Sequence, residues 1–180
     1  MSDFRELFGD WRPEDDRPGE GGAMRPEEQT RGDRKLDEKA VRVVNVWEGI
    51  EETPVEGGTT ITRGHSFFVQ LRDNQGREFR IWVVREMAGS IQLALEHGQP
   101  DRPFTHDLLK VVLERLGASV ERVTIDDLWQ NTYYARITLA YHDATIDIDA
   151  RPSDAIAMAL RFDAPIYASE HVLESAQHET

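Results

Sequence analysis

The sequence contains no cysteine among its 180 residues. This absence excludes disulfide bonds, thiolate catalysis and zinc sites built on sulfur ligands. The sequence also lacks an apolar run of the roughly 18 residues that a membrane-spanning helix requires. Its first residues, MSDFRELFGDW, lack the basic and apolar stretches of a secretory signal. We therefore expect a cytoplasmic protein that does not contact membranes.

Basic residues are in the minority, because 21 Lys and Arg stand against 34 Asp and Glu, for a formal net charge of −13. Proteins that bind nucleic acids usually contact the phosphates through a surface of Lys and Arg. A nucleic-acid function for this chain would therefore require one of two devices. Either a divalent cation joins carboxylates to phosphates, or arginines cluster locally despite the net charge.

The first 39 residues are rich in charge, proline and glycine and show no apolar periodicity. Such a segment buries too little surface to offset its conformational entropy, so residues 1–39 are predicted to be disordered. Residues 3–11 are an exception, because four large apolar side chains share one face of a short helix: Phe4, Leu7, Phe8 and Trp11. This segment either folds back on its own domain, plays no role, or docks into a groove of a protein partner.

From residue 40 onward, short apolar runs alternate with turn residues and with stretches of helical periodicity. Strands are predicted at 41–47, 66–71, 77–84, 119–128, 132–141, 144–150 and 164–168, with a Gly- and Thr-rich loop after the first. Helices are predicted at 86–97, 106–116, 153–162 and 170–176. The pattern favours a single α+β domain over 40–176 with an antiparallel or mixed sheet, hairpins and three to four helices, followed by a tail at 177–180.

Local signals place several boundaries within this domain. Thr105 and Ser169 are expected to cap the second and last helices, and residues 73–76 to form a hairpin turn. The order strand, turn, strand, helix also occurs twice, and its two helices carry similar segments, IQLAL and IAMAL. A duplicated β-β-α unit would explain this repeat, and chance likeness between two amphipathic helices is the alternative.

Polar side chains cluster where a predicted strand passes into the third helix. Asp147 and Asp149 alternate with isoleucines and so lie on one face of the strand, with Arg151 at its exit. Two kinds of site fit these residues. In one, Asp149 and Asp154 hold Mg²⁺ or Mn²⁺. In the other, Asp149 pairs with Arg151 while Ser153 and Asp154 only cap the helix.

A second polar cluster surrounds the start of the second helix. His106 and Asp107 fall in its first turn, where an aspartate complements the helix dipole and a histidine gains no such advantage. His106 is thus a candidate general base, phosphate donor or metal ligand, and a packing or surface role is the alternative. On a predicted strand, Tyr133 and Tyr134 would be able to stack on bases, although strand aromatics more often belong to the core.

Several segments together resemble the bifunctional nuclease domain family. The resemblance extends over about residues 41–176 and rests on four motifs: RPFTHDLL at 102–109, QNTYYA at 130–135, DARPSDAIAMAL at 149–160 and DAPI at 163–166. One stretch departs from the family pattern PIWIGxxEAxAI. Val84 stands in place of its glycine and Met87 in place of its glutamate, with Glu86 one position earlier.

The resemblance implies a nuclease that hydrolyses phosphodiester bonds of DNA and RNA with little sequence specificity. From the residue types we expect a reaction assisted by Mg²⁺ or Mn²⁺, with Asp149 and Asp154 as the metal ligands. The expected catalytic residues are His106, Asp107 and Arg151, and the expected substrate-binding residues are Arg102, Ser153 and Tyr134.

The competing interpretation is a non-catalytic module that binds an anion or a protein partner. The acidic net charge favours it, whereas the presence of two polar clusters favours the enzyme. The enzyme hypothesis requires the two clusters to meet on one face of the folded domain. A homodimer that covers a sheet edge is a further expectation.

Overall fold

The computed structural model describes residues 37–55 and 59–177. The apolar segment with Phe4, Leu7, Phe8 and Trp11 lies outside the described residues, as do almost all of the tail predicted to be disordered and the last three residues of the chain. The first described strand begins at Glu38, two residues before the predicted start of the domain.

The described residues contain a single mixed sheet. Its strands are β1 (Glu38–Val55), β2 (Thr59–Asp73), β3 (Glu78–Val83), β4 (Ala118–Trp129), β5 (Thr132–Tyr141), β6 (Ala144–Ala150) and β7 (Ile166–Ser169). Their order across the sheet is β3-β2-β1-β7-β4-β5-β6. Neighbouring strands are antiparallel except for β4 and β7, which are parallel. With the helices described below, this sheet confirms the predicted α+β fold.

Four helices accompany the sheet in the described part of the chain: α1 (Arg85–Leu95), α2 (Thr105–Arg115), α3 (Pro152–Phe162) and α4 (Glu170–Gln177). None of them is long and apolar enough to cross a membrane. Ser169 caps α4 as predicted, because its Oγ accepts the backbone N–H of Val172 at 3.2 Å. The prediction that Thr105 caps α2 is wrong. Thr105 is the first helical residue, and the extended residue before it is Phe104, whose N–H is bound by the Asp107 carboxylate.

The connection between the first two strands also differs from its prediction. Of the stretch expected to be a loop, residues 48–55 and 59–65 continue the two strands, which pair as far as Val55 and Thr59. A hairpin ladder satisfies backbone donors and acceptors whatever the side chains, and the threonines of this stretch are favoured in strands. The predicted turn at 73–76 is present, with Gly76 at a φ of 89° and the Asp73 carboxylate accepting the N–H groups of Gln75 and Arg77.

The repeated order of elements is present in the structure. The hairpin β2–β3 leads into α1, and the hairpin β5–β6 leads into α3. The two helices contact each other, and Ile91 of α1 and Ile156 of α3 are both fully buried. Because α1, α2, β4 and β5 all contact α3, this helix lies at the centre of the fold. Its run of alanines allows that close packing, and its first turn is held beside α1 and α2.

Candidate functional site

The imidazole of His106 is the point where three helices meet. His106 is 9% exposed and lies in the first turn of α2. Its Nε2 is 3.2 Å from Oδ1 of Asp154 in α3, and its Nδ1 is 3.0 Å from Oγ of Ser90 in α1. The structure therefore brings together the two polar clusters that the sequence places 48 residues apart.

The partners of His106 define its hydrogen-bonding state. An ionised carboxylate accepts hydrogen bonds and donates none, so Nε2 of His106 carries a proton and donates it to Asp154. In the neutral imidazole the other nitrogen, Nδ1, then presents a lone pair. Nδ1 therefore accepts a hydrogen bond from the hydroxyl group of Ser90. Asp154 thus fixes the ring orientation and the tautomer that a general base at Nδ1 requires.

Asp154 is also bound by Arg151, the residue that precedes α3. Nε of Arg151 donates to Oδ2 at 2.6 Å, and Nη2 donates to Oδ1 at 3.2 Å. Burial raises the pKa of Asp154, but the hydrogen bonds from Arg151 and His106 outweigh burial and hold this pKa below its usual value. The side chain of Arg151 is 72% exposed, so its guanidinium is accessible to an anion from solvent.

Asp107 makes its contacts away from this group. Its Oδ1 accepts a hydrogen bond from Nε of Arg161 at 2.6 Å, and its Oδ2 accepts one from the backbone N–H of Phe104 at 2.9 Å. The side chain of Arg161 is only 5% exposed, and its Nη1 also donates to the carbonyls of Ser90 and Ala157. Asp107, which was expected to be catalytic, therefore joins α2 to a buried arginine of α3.

The two expected metal ligands lie on different elements. Asp149 is exposed on β6 opposite Arg136, whereas Asp154 lies in the first turn of α3 and is bound by His106 and Arg151. On the same face of β6, Asp147 accepts Thr138 Oγ1 at 2.7 Å and Arg136 at 3.2 Å. Over residues 37–55 and 59–177, no three His, Asp or Glu side chains form a group suited to a metal ion.

A cleft of about 310 Å³ opens beside Arg151. Three segments line it together with Met87: the end of β3 and the residue after it at 81–84, the β4–β5 turn at 131–133, and residues 151–153. Of the expected substrate-binding residues, Ser153 lines this cleft, whereas Arg102 is exposed in the connection between α1 and α2. Tyr133 lines the cleft in place of Tyr134, because adjacent strand residues face opposite sides of the sheet.

Ser90 is a member of the site that the sequence analysis did not identify. It stands where the family pattern quoted above has an alanine, on the helix face that carries the buried Met87 and Ile91. A polar residue on the apolar face of a predicted helix was the available signal. The same helix shows that Glu86 does not replace the family glutamate through a one-residue shift, since Glu86 is exposed while Met87 packs in the core.

Comparisons with known proteins place this site within a conserved domain type. The family model of the bifunctional nuclease domain matches residues 69–180, a range that contains every residue of the site. An uncharacterized protein of Mycobacterium tuberculosis is 41% identical over 107 residues, which are 59% of this chain and 63% of the relative. Bifunctional nuclease 1 of Oryza sativa subsp. japonica is 29% identical over 111 residues, 60% of this chain and 34% of the relative.

A second plant protein extends the match. Bifunctional nuclease 2 of Arabidopsis thaliana is 25% identical over 130 residues, 70% of this chain and 40% of the relative. The chain thus covers less than two thirds of the length of these curated relatives. Because the family model matches more than half of the chain, the protein belongs to the bifunctional nuclease domain family.

Proposed function

We propose that this protein is a nuclease that hydrolyses phosphodiester bonds of DNA and RNA with little sequence specificity. The contact between His106 and Asp154 is the observation that carries the proposal, because it unites two polar clusters in one partly buried site. Membership of the family and the names of the plant relatives support the same class of reaction. The exposed guanidinium of Arg151 adds the positive charge that a phosphodiester substrate requires.

Hydrolysis of a phosphodiester needs a base that deprotonates the attacking water. We assign this role to His106, acting through Ser90. As the water attacks phosphorus, it passes a proton to Oγ of Ser90, and the Ser90 hydroxyl proton moves to Nδ1 of His106. The ionised Asp154 carboxylate stabilises the resulting imidazolium through Nε2. The imidazolium then supplies the proton that the departing oxygen requires.

The phosphoryl group also needs a partner for the negative charge that develops on its non-bridging oxygens. Arg151 fits this role, because its guanidinium is exposed and only two of its five N–H groups bind Asp154. The remaining three are directed to solvent or substrate. A guanidinium binds phosphate in two-point contacts that a lysine ammonium does not form. Dependence on Mg²⁺ or Mn²⁺ remains a prediction for the assay below.

A second candidate function is a non-catalytic module that binds an anion at Arg151. Two observations favour it over the enzyme: the net charge of −13, and the burial of Met87 at the position of the family glutamate. In this reading, His106 and Asp154 only hold Arg151 in place.

Cleavage assays on plasmid DNA and single-stranded RNA distinguish these functions. The purified chain is assayed with Mg²⁺, with Mn²⁺ and with EDTA, beside the variants Asp154→Asn and Asp149→Asn. We expect Asp154→Asn to lower the initial rate by about 100-fold or more, the size typical of lost acid–base catalysis, and Asp149→Asn to keep a rate close to that of the wild type. Equal losses in both variants would favour a metal held jointly by the two carboxylates. No cleavage by folded wild type under any condition would favour the binding module.

A further inference from the structure

The cleft beside Arg151 combines one charged side chain with an exposed aromatic ring. Trp82, near the end of edge strand β3, lines the cleft and is 63% exposed. An indole this exposed offers an apolar ring surface that a planar ligand can cover. The volume of about 310 Å³ lies within the range of clefts that hold small ligands.

The tryptophan ring is held in place from one side. Phe68 is the strand partner of Trp82, and their ring centroids are 5.2 Å apart at an interplanar angle of 65°. Arg80 lies over the same phenylalanine ring, at 5.1 Å from its centroid. This edge-to-face contact restricts the orientation of the indole before any ligand binds. A fixed ring loses little conformational entropy when it stacks on a ligand.

The cleft is also lined by Arg151, whose guanidinium keeps three N–H groups beyond the two that bind Asp154. An aromatic plane and a guanidinium in one cleft match two parts of a nucleotide, because bases stack on aromatic rings and phosphates bind arginine. Arg151 also connects the cleft directly to the His106–Asp154 pair. A base on Trp82 would therefore place its neighbouring phosphate beside the groups assigned to catalysis.

We propose that this cleft binds one unstacked nucleobase of a single-stranded nucleic acid on Trp82, with the adjoining phosphate on Arg151. The proposal rests on the proposed nuclease function and names the substrate class of that site. A base within a duplex has both faces covered by its neighbours, so it reaches Trp82 only after leaving the stack at an energetic cost. The net charge of −13 adds to this preference, since it disfavours binding through the phosphate backbone alone. The cleft therefore selects single strands over duplexes.

The test measures binding separately from cleavage. The full chain in EDTA is titrated into a short fluorescein-labelled oligothymidylate, and fluorescence anisotropy gives the dissociation constant; a gel afterwards verifies that the strand is intact. Trp82→Ala is compared with the conservative Trp82→Phe and with Trp47→Ala, an exposed tryptophan on β1 outside this cleft. We expect Trp82→Ala to weaken binding about fivefold or more, the loss that one stacked base predicts, while Trp82→Phe and Trp47→Ala bind nearly as well as the wild type.

A competition experiment compares the affinity for duplex DNA with the affinity for the single strand. The same oligothymidylate annealed to oligodeoxyadenylate is expected to compete at least about tenfold more weakly than the single strand. Equal affinities of wild type and Trp82→Ala, equal competition by the duplex, or no binding by wild type would each overturn the proposal. Failure of the proposed function has a different signature. If binding depends on Trp82 but the same preparation does not cleave in Mg²⁺ or Mn²⁺, the proposal of single-strand binding in the cleft stands. The proposed nuclease activity is then refuted.

Discussion

At the scale of single residues, the proposed catalytic mechanism depends on the imidazole of His106 and its two partners, Asp154 and Ser90. Asp154 is acidic, exposed in part and bound by a guanidinium, so it remains ionised and orients His106 at neutral pH. Ser90 Oγ lies 3.0 Å from Nδ1, the other ring nitrogen, and in the proposed mechanism it passes the proton of the attacking water to His106. The sequence predicted His106, Asp154 and Arg151 because each falls in or next to the first turn of a helix, a local feature. It did not predict Ser90, whose role arises from a contact between two helices.

Removal of the Ser90 hydroxyl tests this relay. We expect Ser90→Ala to lower kcat of nucleic-acid cleavage by about 10- to 100-fold with little change in KM, because the hydroxyl acts on the water and not on substrate binding. Ser90→Thr keeps the hydroxyl and is expected to retain most of the activity. Steady-state kinetics on a labelled single strand provide both constants. A loss confined to KM, or equal losses in the alanine and threonine variants, would contradict the relay.

At the scale of elements, helical periodicity identified α2 correctly but not the side that faces the core. Most of the large apolar side chains of this segment are exposed, among them Leu108, Leu109, Val112 and Leu116. His106 is buried instead, and Asp107 binds the buried Arg161. Periodicity reveals that a helix has an apolar face, whereas the element that covers this face depends on the packing of the whole chain. The placement of β7 between β1 and β4 is likewise absent from any local pattern.

The Asp107–Arg161 pair is one of the polar contacts that join α2 to α3, and its loss should destabilise the fold. We expect Asp107→Asn to lower the free energy of unfolding by about 2–4 kcal/mol at pH 7, since it leaves a charged arginine buried without its carboxylate. Urea denaturation followed by circular dichroism measures this difference. Asp101→Asn, an exposed position in the connection before α2, is the control and should behave as the wild type.

The same pair predicts how the difference depends on pH. Burial raises the pKa of Asp107, but the hydrogen bond from Arg161 outweighs burial and brings this pKa below the reference value of 3.8. Its contribution to stability is therefore complete above about pH 4 and is lost as the pH falls through the lowered pKa. The difference in the free energy of unfolding between wild type and Asp107→Asn should therefore become smaller in strongly acidic buffer. A gap that stays constant from neutral to strongly acidic pH would contradict this assignment.

At the scale of the whole molecule, several exposed apolar residues of α2 have no role in the site, among them Leu108, Leu109 and Val112. Exposed apolar patches of this kind mark interaction surfaces, and two-fold homodimers are the commonest assemblies of soluble proteins. We therefore keep the prediction of a homodimer and place its interface on α2. Light scattering after size exclusion should give twice the chain mass of 20.6 kDa for the wild type and the single mass for Leu108→Glu. A wild type that is monomeric at tens of micromolar would refute it.

The order of strands and helices, their type and most of their turns followed from local pattern, so the α+β fold was predictable from the sequence. The pairing of distant elements was not, and the candidate site consists of such pairings: Ser90 with His106, and His106 with Asp154. Resemblance to a family identified the two polar motifs. It did not reveal which carboxylate would contact the histidine, and the structure selects Asp154 over Asp149 and Asp107.

We propose His106 as the general base of a nuclease. The most direct test of this role compares the initial cleavage rates of wild type and His106→Gln. Both proteins are assayed on the same single-stranded RNA after circular dichroism and thermal unfolding have verified that the variant is folded. We expect an initial cleavage rate at least about 100-fold lower for His106→Gln, because glutamine forms hydrogen bonds but does not take up a proton at neutral pH. Cleavage by folded His106→Gln at the wild-type rate would contradict it.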